Sequence, residues 1–335
     1  MSDFKAIILA GGSGERFWPL STPEKPKQFL RVFGGESLIR QSVSRLKGLV
    51  KPKDVFVITS KQLVAATRKE LPEIPKQNII GEPMRRDTGA AIALGVGVAS
   101  RSGKDFASPL KKDVVLGFFS SDQLATNPEK LRKAVAAAIA KAKRTNAIVT
   151  IGIKPEYPAT GFGYVNPKTG AFVEKPNEAK ARQYLRKGYL WNAGMFIGRA
   201  SVFTEAIATY APALLPLAQS SVSRLKSSYE SLPKISFDYA VMEKLKNVAV
   251  VKGDFGWDDV GSYGAFDKYF PHDARGNVRE GPCTVVEADG NICIARSARI
   301  SLLGVKNLVV VTTPDSVLVA DKGRVTELKK LFVKK

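Results

Sequence analysis

Short apolar runs alternate with helical patterns along most of this chain, and that alternation restricts the fold more than any other feature. Residues 6–10, 54–59 and 114–119 are β-rich and largely apolar, the pattern of strands buried on both faces. Helical spacing fills the intervals. Leu38, Ile39, Val43, Leu46 and Val50 recur on one face of a helix predicted over 37–50, with Ser37 as its N-cap. Further helices are expected over 62–71 and over the Ala/Gly-rich stretch 88–99. Asn127-Pro128-Glu129, a cap residue followed by proline at the first helical position, opens an Ala/Lys-rich helix to about 145. A strand at 147–153, a helix at 179–187 and a strand at 195–198 follow, and the alternation continues to about 251. Strand and helix in turn predict an α/β fold: a mostly parallel sheet with helices on both faces.

From about residue 270 the texture changes. Short β-branched runs at 284–287, 292–295, 308–312 and 317–320 are separated by Gly and Asp, and a basic helix is expected at the end. Two domains are therefore expected, 1–268 and a small β-rich one at 269–335. No internal repeat stands out. The second domain packs on the first or builds a homodimer, and the sequence leaves both open.

Composition narrows the function classes. With 44% hydrophobic and 25% charged residues in 335, the chain can bury a full core and is not a disordered one. Met1-Ser2-Asp3-Phe4-Lys5 has no basic leader, and no apolar run reaches the roughly 18 residues of a membrane span, so a cytoplasmic protein is expected. Cys283 and Cys293 flank a turn at Ala288-Asp289-Gly290-Asn291. They read as reduced core thiols or cross-strand neighbours, and their spacing is not that of a zinc site. A net charge of +21 points to anionic partners. The basic residues are scattered, with small clusters at Lys25/Lys27/Arg31, Arg85-Arg86 and Lys329-Lys330 and no basic arm, so nucleic acid is not the expected partner.

Directly after the first strand stands Gly11-Gly12-Ser13-Gly14. Several unencumbered backbone N–H groups at the carboxyl end of a sheet outline a phosphate cradle. It is not the dinucleotide fingerprint, because Phe17 falls where the third glycine would be. It is not a Walker loop either, since no Gly-Lys-Ser/Thr follows. Glycine spacing alone fits a tight turn equally well. Arg16 and Lys27 add two cations that can supply charge to a polyphosphate.

With Gly11-Gly12-Ser13-Gly14-Glu15-Arg16 and Pro26-Lys27-Gln28-Phe29, the chain resembles the sugar-1-phosphate nucleotidyltransferases. The Lys-Gln-Phe ending is similar to their mannose-1-phosphate guanylyltransferase branch. Thr160-Gly161-Phe162-Gly163-Tyr164, Phe172-Val173-Glu174-Lys175-Pro176, Trp191-Asn192-Ala193-Gly194-Met195-Phe196, 236–244 and Trp257-Asp258-Asp259-Val260-Gly261 follow in the order of that branch. The resemblance covers residues 6 to about 263. It implies a Rossmann-like, GT-A-like catalytic domain, and the chain ends too early for the fused isomerase domain of longer relatives. The implied reaction joins GTP and mannose 1-phosphate to GDP-mannose and pyrophosphate, with Mg2+ as cofactor. Another nucleotide and sugar in the same chemistry, such as dTTP or UTP with glucose 1-phosphate, is the alternative, and a basic nucleic-acid-binding module is the reading from a different class.

The resemblance also implies roles for single residues. Gly11, Gly12 and Gly14 hold the triphosphate, with Arg16 and Lys27 on its phosphates as the catalytic cations. Glu82 and Thr88 lie in the base-contacting segment, where this chain reads Asp87-Thr88-Gly89-Ala90 and relatives more often Asn-Thr-Ala-Pro. Lys175 holds the sugar phosphate, while Gly163, Glu174 and Asn192 face sugar hydroxyls; a solvated Glu-Lys pair is the plainer reading of two such residues alone. Asp122 and Asp259 share Mg2+, although an Asp at a strand end is by itself more simply a cap. Around Asp122 the chain has Ser120-Ser121-Asp122-Gln123 in place of Pro-Ala-Asp-His. Asp238 serves the metal, the sugar or only the structure. His272, the single histidine, lies outside every motif, so histidine chemistry is not expected.

Overall fold

The computed structural model describes residues 3–12, 14–100, 113–219 and 229–332. Ser13, within the glycine loop, lies outside them. The chain forms two compact units. The first comprises Met1–Gly11, Arg40–Ser121 and Ala125–Trp257, the second Gly12–Ile39, Asp122–Leu124 and Asp258–Lys335.

A nine-stranded sheet organises the first unit: β1 (Phe4–Ala10), β2 (Val55–Ser60), β3 (Ile79–Glu82), β4 (Val115–Ser120), β5 (Ile148–Ile153), β6 (Tyr164–Val165), β7 (Phe172–Val173), β8 (Leu190–Arg199) and β9 (Val248–Gly253). Its main path runs β9-β5-β8-β4-β1-β2-β3, with β6 beside β8 and β7 beside β6. Pairs β1/β2, β1/β4, β2/β3 and β5/β9 are parallel, whereas β8 runs antiparallel to both β4 and β5. β1 carries continuous apolar side chains because it sits in the middle of a sheet covered on both faces, and Ile7 and Ile8 are fully buried.

Helices α1 (Leu38–Ser44), α2 (Val64–Glu70), α3 (Asp87–Ala99), α4 (Pro128–Arg144), α5 (Glu178–Arg186), α6 (Ala200–Tyr210) and α7 (Leu215–Gln219) follow the expected alternation. α4 begins as its sequence predicts, with the Asn127 side chain accepting from the Lys130 N–H at 2.9 Å and Pro128 in the first turn. α3 is buried from Gly89 to Ala99. Its small residues permit that, since a Cβ at Gly95 would lie 2.7 Å from the Phe118 ring.

Two expected helices differ. The one predicted over 37–50 stops at Ser44, beyond which Leu46, Lys47 and Leu49 donate to carbonyls three residues back and Gly48 takes φ 91°. Tightened turns ending in a left-handed glycine terminate the helix despite continued apolar spacing. The C-terminal basic helix is a run of 3-10 turns, Lys322–Phe332. The strand expected at 195–198 is longer, running Leu190–Arg199 and so including Asn192.

In the second unit, β10 (Val278–Glu280), β11 (Cys283–Val286), β12 (Ile292–Ala295), β13 (Ile300–Leu303), β14 (Leu308–Thr313) and β15 (Ser316–Asp321) form a four-stranded sheet β10-β12-β14-β15 and a two-stranded one, β11-β13. Pairs β10/β12, β12/β14 and β11/β13 are parallel, so successive turns of chain stack as a coil. The sequence does contain a repeat. Asn277, Asn291 and Asn307 each precede the apolar residue that opens a strand. Asn291 donates from its backbone and side-chain nitrogens to Asn277 Oδ1, both at 2.9 Å, and accepts from the Leu308 N–H at 2.9 Å. Cys283 and Cys293 are free thiols, and burial pushes the Cys293 thiol up to about 12.

Candidate active site

Gly12, Gly14 and both candidate metal ligands fall in the second unit, and Gly11 ends the first segment of the first. Gly14 sits at φ 69° immediately before the 3-10 turn Glu15–Phe17 that carries Arg16. No other residue fits, because a Cβ on Gly14 would lie 2.5 Å from the Lys27 backbone nitrogen and 2.7 Å from its Cβ. The loop thus lies directly against the turn Lys27–Phe29. Lys27 is buried, and its Nζ stands 3.0 Å from Asp122 Oδ2 and 2.7 Å from the Asp259 main-chain oxygen. A Cβ at Gly261 would be 3.4 Å from Asp259 Oδ2 and 3.5 Å from an Arg16 guanidinium nitrogen, so both side chains border one glycine.

Burial raises the Asp259 carboxyl above the ordinary range; Lys27 opposes this and the neighbouring Asp122 charge reinforces it. Among the described residues no group of three or more His, Cys, Asp or Glu side chains could hold a metal. Asp122 and Asp259 supply instead two hard oxygen donors beside two cations.

In the first unit, Glu82 ends β3 and is buried. Its Oε1 accepts from the Tyr229 hydroxyl at 3.1 Å, and a Cβ on Gly11 would lie 3.7 Å from its Oε2. Burial pushes Glu82 up to about 7, with the Tyr229 hydrogen bond opposing and Asp87 adding. Thr88 lies in the first turn of α3, and its hydroxyl accepts from the Phe237 N–H at 3.0 Å. Arg86, of the small basic cluster Arg85-Arg86, donates to the Tyr229 and Glu230 carbonyls.

A second group in the same unit gathers Gly163, Glu174, Lys175 and Asn192. Gly163 accepts from the Asn192 N–H at 2.8 Å, and a Cβ there would meet Glu174 Oε2 at 2.5 Å. Lys175 Nζ pairs with Glu174 Oε1 at 2.9 Å; the Glu174 side chain is 7% exposed and that of Lys175 50%, leaving the ammonium able to reach a ligand. The Asn192 amide is fixed, its Oδ1 accepting from Thr150 Oγ1 and the Gly194 N–H and its Nδ2 donating to Asp238 Oδ1 at 3.0 Å. Burial raises the Glu174 and Asp238 carboxyls, against the pull of Lys175; the Glu174 charge adds to the rise at Asp238 and Glu243 to that at Glu174. The Lys175 ammonium is lowered by burial but raised more by Glu174 and Asp238.

Sequence reasoning missed Glu243, one of the two supports of this group. Glu243 Oε1 accepts from the Glu174 N–H at 2.7 Å, and Asp238 opens a π-helical turn, Asp238–Met242. Both lie in the stretch 236–244; Asp238 was singled out with metal, sugar and structure all open, whereas only the position of the stretch in a series of motifs marked Glu243. Backbone strain is a second signal, invisible in sequence: Asp87, Lys175 and Val260 take φ values of 64°, 45° and 48°. Each is a candidate residue or adjoins one. His272 approaches Asp267 at 3.4 Å and belongs to neither group.

The chain belongs to the nucleotidyl transferase family, which matches over residues 5–275. Residues 281–335 match the MannoseP isomerase/GMP-like beta-helix domain. Mannose-1-phosphate guanylyltransferase of Escherichia coli K12 is 34% identical over 97% of this chain and 72% of its own. Xanthan biosynthesis protein XanB of Xanthomonas campestris is 36% identical over 99% of this chain and 73% of its own. A crystal structure from Thermus thermophilus, titled mannose-1-phosphate geranyltransferase, superposes with a TM-score of 0.86 at 34% identity, covering 99% of this chain and 98% of that one. No helix among the described residues is long and apolar enough to cross a membrane.

Proposed function

We propose that the protein transfers the guanylyl group of GTP to mannose 1-phosphate. A phosphate oxygen of the sugar phosphate attacks the α-phosphorus, the α–β bridging P–O bond breaks, and pyrophosphate leaves as GDP-mannose forms. No covalent enzyme intermediate is required. Positioning and charge stabilisation carry such a step.

The observation that carries this reading is Lys27, buried between Asp122 and the Asp259 carbonyl under a loop that only Gly14 can close. Arg16 and Lys27 would balance the charge on the triphosphate, and the loop N–H groups would orient it. Asp122 and Asp259 fit Mg2+, which takes one or two carboxylates and fills its remaining positions with phosphate oxygens and water. When bound, the ion would neutralise phosphate charge. Lys175 would hold the sugar phosphate, with Glu174 and Asn192 directed to sugar hydroxyls. Glu82 supports guanine, since a carboxylate only accepts and guanine offers two adjacent N–H donors on its pairing edge.

Asp259→Ala tests the assignment. Mg2+-dependent turnover should be lost while the circular dichroism spectrum is retained; an Asp259→Ala enzyme with ordinary activity removes this residue as metal ligand.

A further inference from the structure

The second unit joins sequence from both ends of the chain around one apolar cluster. Phe17, Leu30, Phe33 and Leu38, which flank the glycine loop, are buried with Val278, Ile292, Ile294, Val309, Val311 and Leu318 of the coil. The coil core is therefore also the floor of the nucleotide loop. One contact is polar and aimed at the loop backbone. Tyr263, fully buried, donates its hydroxyl hydrogen to the Phe17 and Trp18 carbonyls, at 2.8 and 3.0 Å. These are the carbonyls at the end of the turn Glu15–Phe17 that carries Arg16. Trp18 also meets Phe332, from the last 3-10 run, edge to face at 5.7 Å.

We propose that the apolar cluster shared with the C-terminal coil preorganises the nucleotide loop, with Tyr263, which precedes the coil in sequence and packs in that cluster, as the positioning residue that holds the Arg16 turn. This rests on the reading of that loop as the triphosphate site. A short loop that must present N–H groups and a guanidinium to a polyphosphate loses entropy if it orders only on binding. Here the other end of the turn is already closed, because Gly14 O accepts from Ser21 Oγ at 2.6 Å and from the Phe17 N–H at 2.9 Å, and Phe17 O also accepts from the Ser21 N–H. Tyr263 completes the closure from within the shared cluster. The cluster that the coil shares thus serves the chemistry without contributing a group that touches substrate.

Tyr263→Phe keeps the ring and its contacts with Phe17 and Phe266 but removes the donor. We expect KM for GTP to rise about tenfold, with KM for mannose 1-phosphate within a factor of about two of the wild type. In an Arg16→Ala background the Tyr263→Phe substitution should have little further effect, because it acts through the turn that bears Arg16. Phe332→Ala, which removes the edge-to-face partner of Trp18, should shift the same constant in the same direction. An unchanged KM for GTP in Tyr263→Phe, equal changes for both substrates, or full additivity with Arg16→Ala each overturn the proposal. A wild-type protein inactive with every nucleotide and sugar phosphate overturns instead the reading of the loop.

Discussion

Lys27 Nζ stands 3.0 Å from Asp122 Oδ2, pairing a candidate phosphate lysine directly with a candidate metal ligand. Three charged groups, Lys27, Asp122 and Asp259, share one partly buried site, and removing the cation takes away a charge that offsets the repulsion between the two carboxylates. Breaking a buried pair from one side costs more than the pair itself contributes. Lys27→Met should therefore lower kcat by roughly 100-fold or more and lower the melting temperature as well. Calorimetry and steady-state kinetics on the same sample check both; a melting temperature equal to that of the wild type contradicts the counter-ion role.

Gly163 offers a test of the sugar-phosphate group that spares its polar atoms. A methyl group there meets Glu174 Oε2 at 2.5 Å and Phe172 at 3.0 Å, so Gly163→Ala must displace the carboxylate that pairs with Lys175. KM for the sugar phosphate should rise about tenfold while that for the nucleotide stays fixed. Lys175→Ala should shift the same constant, and a change confined to the nucleotide would reverse the two assignments.

Glu82 ties pH to both stability and activity. Its folded value is about 7 against an ordinary 4.5, raised by burial. As pH climbs from 4.5 towards 7 the unfolded chain gives up this proton and the folded chain keeps it. The contribution to stability is therefore lost through that window and levels off above it, by at most about 3 kcal/mol. Urea titrations of the wild type and Glu82→Gln, compared pH by pH, should show a difference that changes through that window and is constant above it. kcat/KM for GTP should rise through about pH 7 as the acceptor carboxylate forms, and Glu82→Gln should flatten that rise. Parallel pH profiles in the two proteins would contradict both statements.

Asn291 is fully buried in the coil, and replacing its side chain removes the acceptor of the Leu308 N–H and one of two donors from both the Val305 carbonyl and Asn277 Oδ1. Asn291→Ala should cost about 2–4 kcal/mol in chemical denaturation. A loss below about 1 kcal/mol would show that the ladder is dispensable.

Much of this was legible in the sequence because it rests on local chemistry. Strand β1, the Asn127-Pro128 helix start and the loop with its two cations each carry their own signal. The stretch Asp258–Gly261 was marked by its place in a series, but the reason Val260 holds φ 48° there is tertiary. The helix expected to Val50 failed for the opposite reason: apolar spacing continued past Ser44, and Gly48 ended the helix regardless. The Asn277, Asn291 and Asn307 repeat was present, yet each residue alone reads as a turn asparagine. Its meaning depends on stacking that periodicity within one strand does not express. Tyr263 could not have been found from the chain, because its partners Phe17 and Trp18 lie most of the length of the sequence away.

The most direct test of the proposed reaction is pyrophosphate release by the purified protein with Mg2+, across GTP, ATP, UTP, dTTP and CTP against mannose, glucose and glucosamine 1-phosphates. Selective turnover of GTP with mannose 1-phosphate, abolished by chelating the metal, is the predicted result. Preference for another pair, such as dTTP or UTP with glucose 1-phosphate, would contradict the guanine and mannose assignments, and release with no pair would contradict the reaction itself.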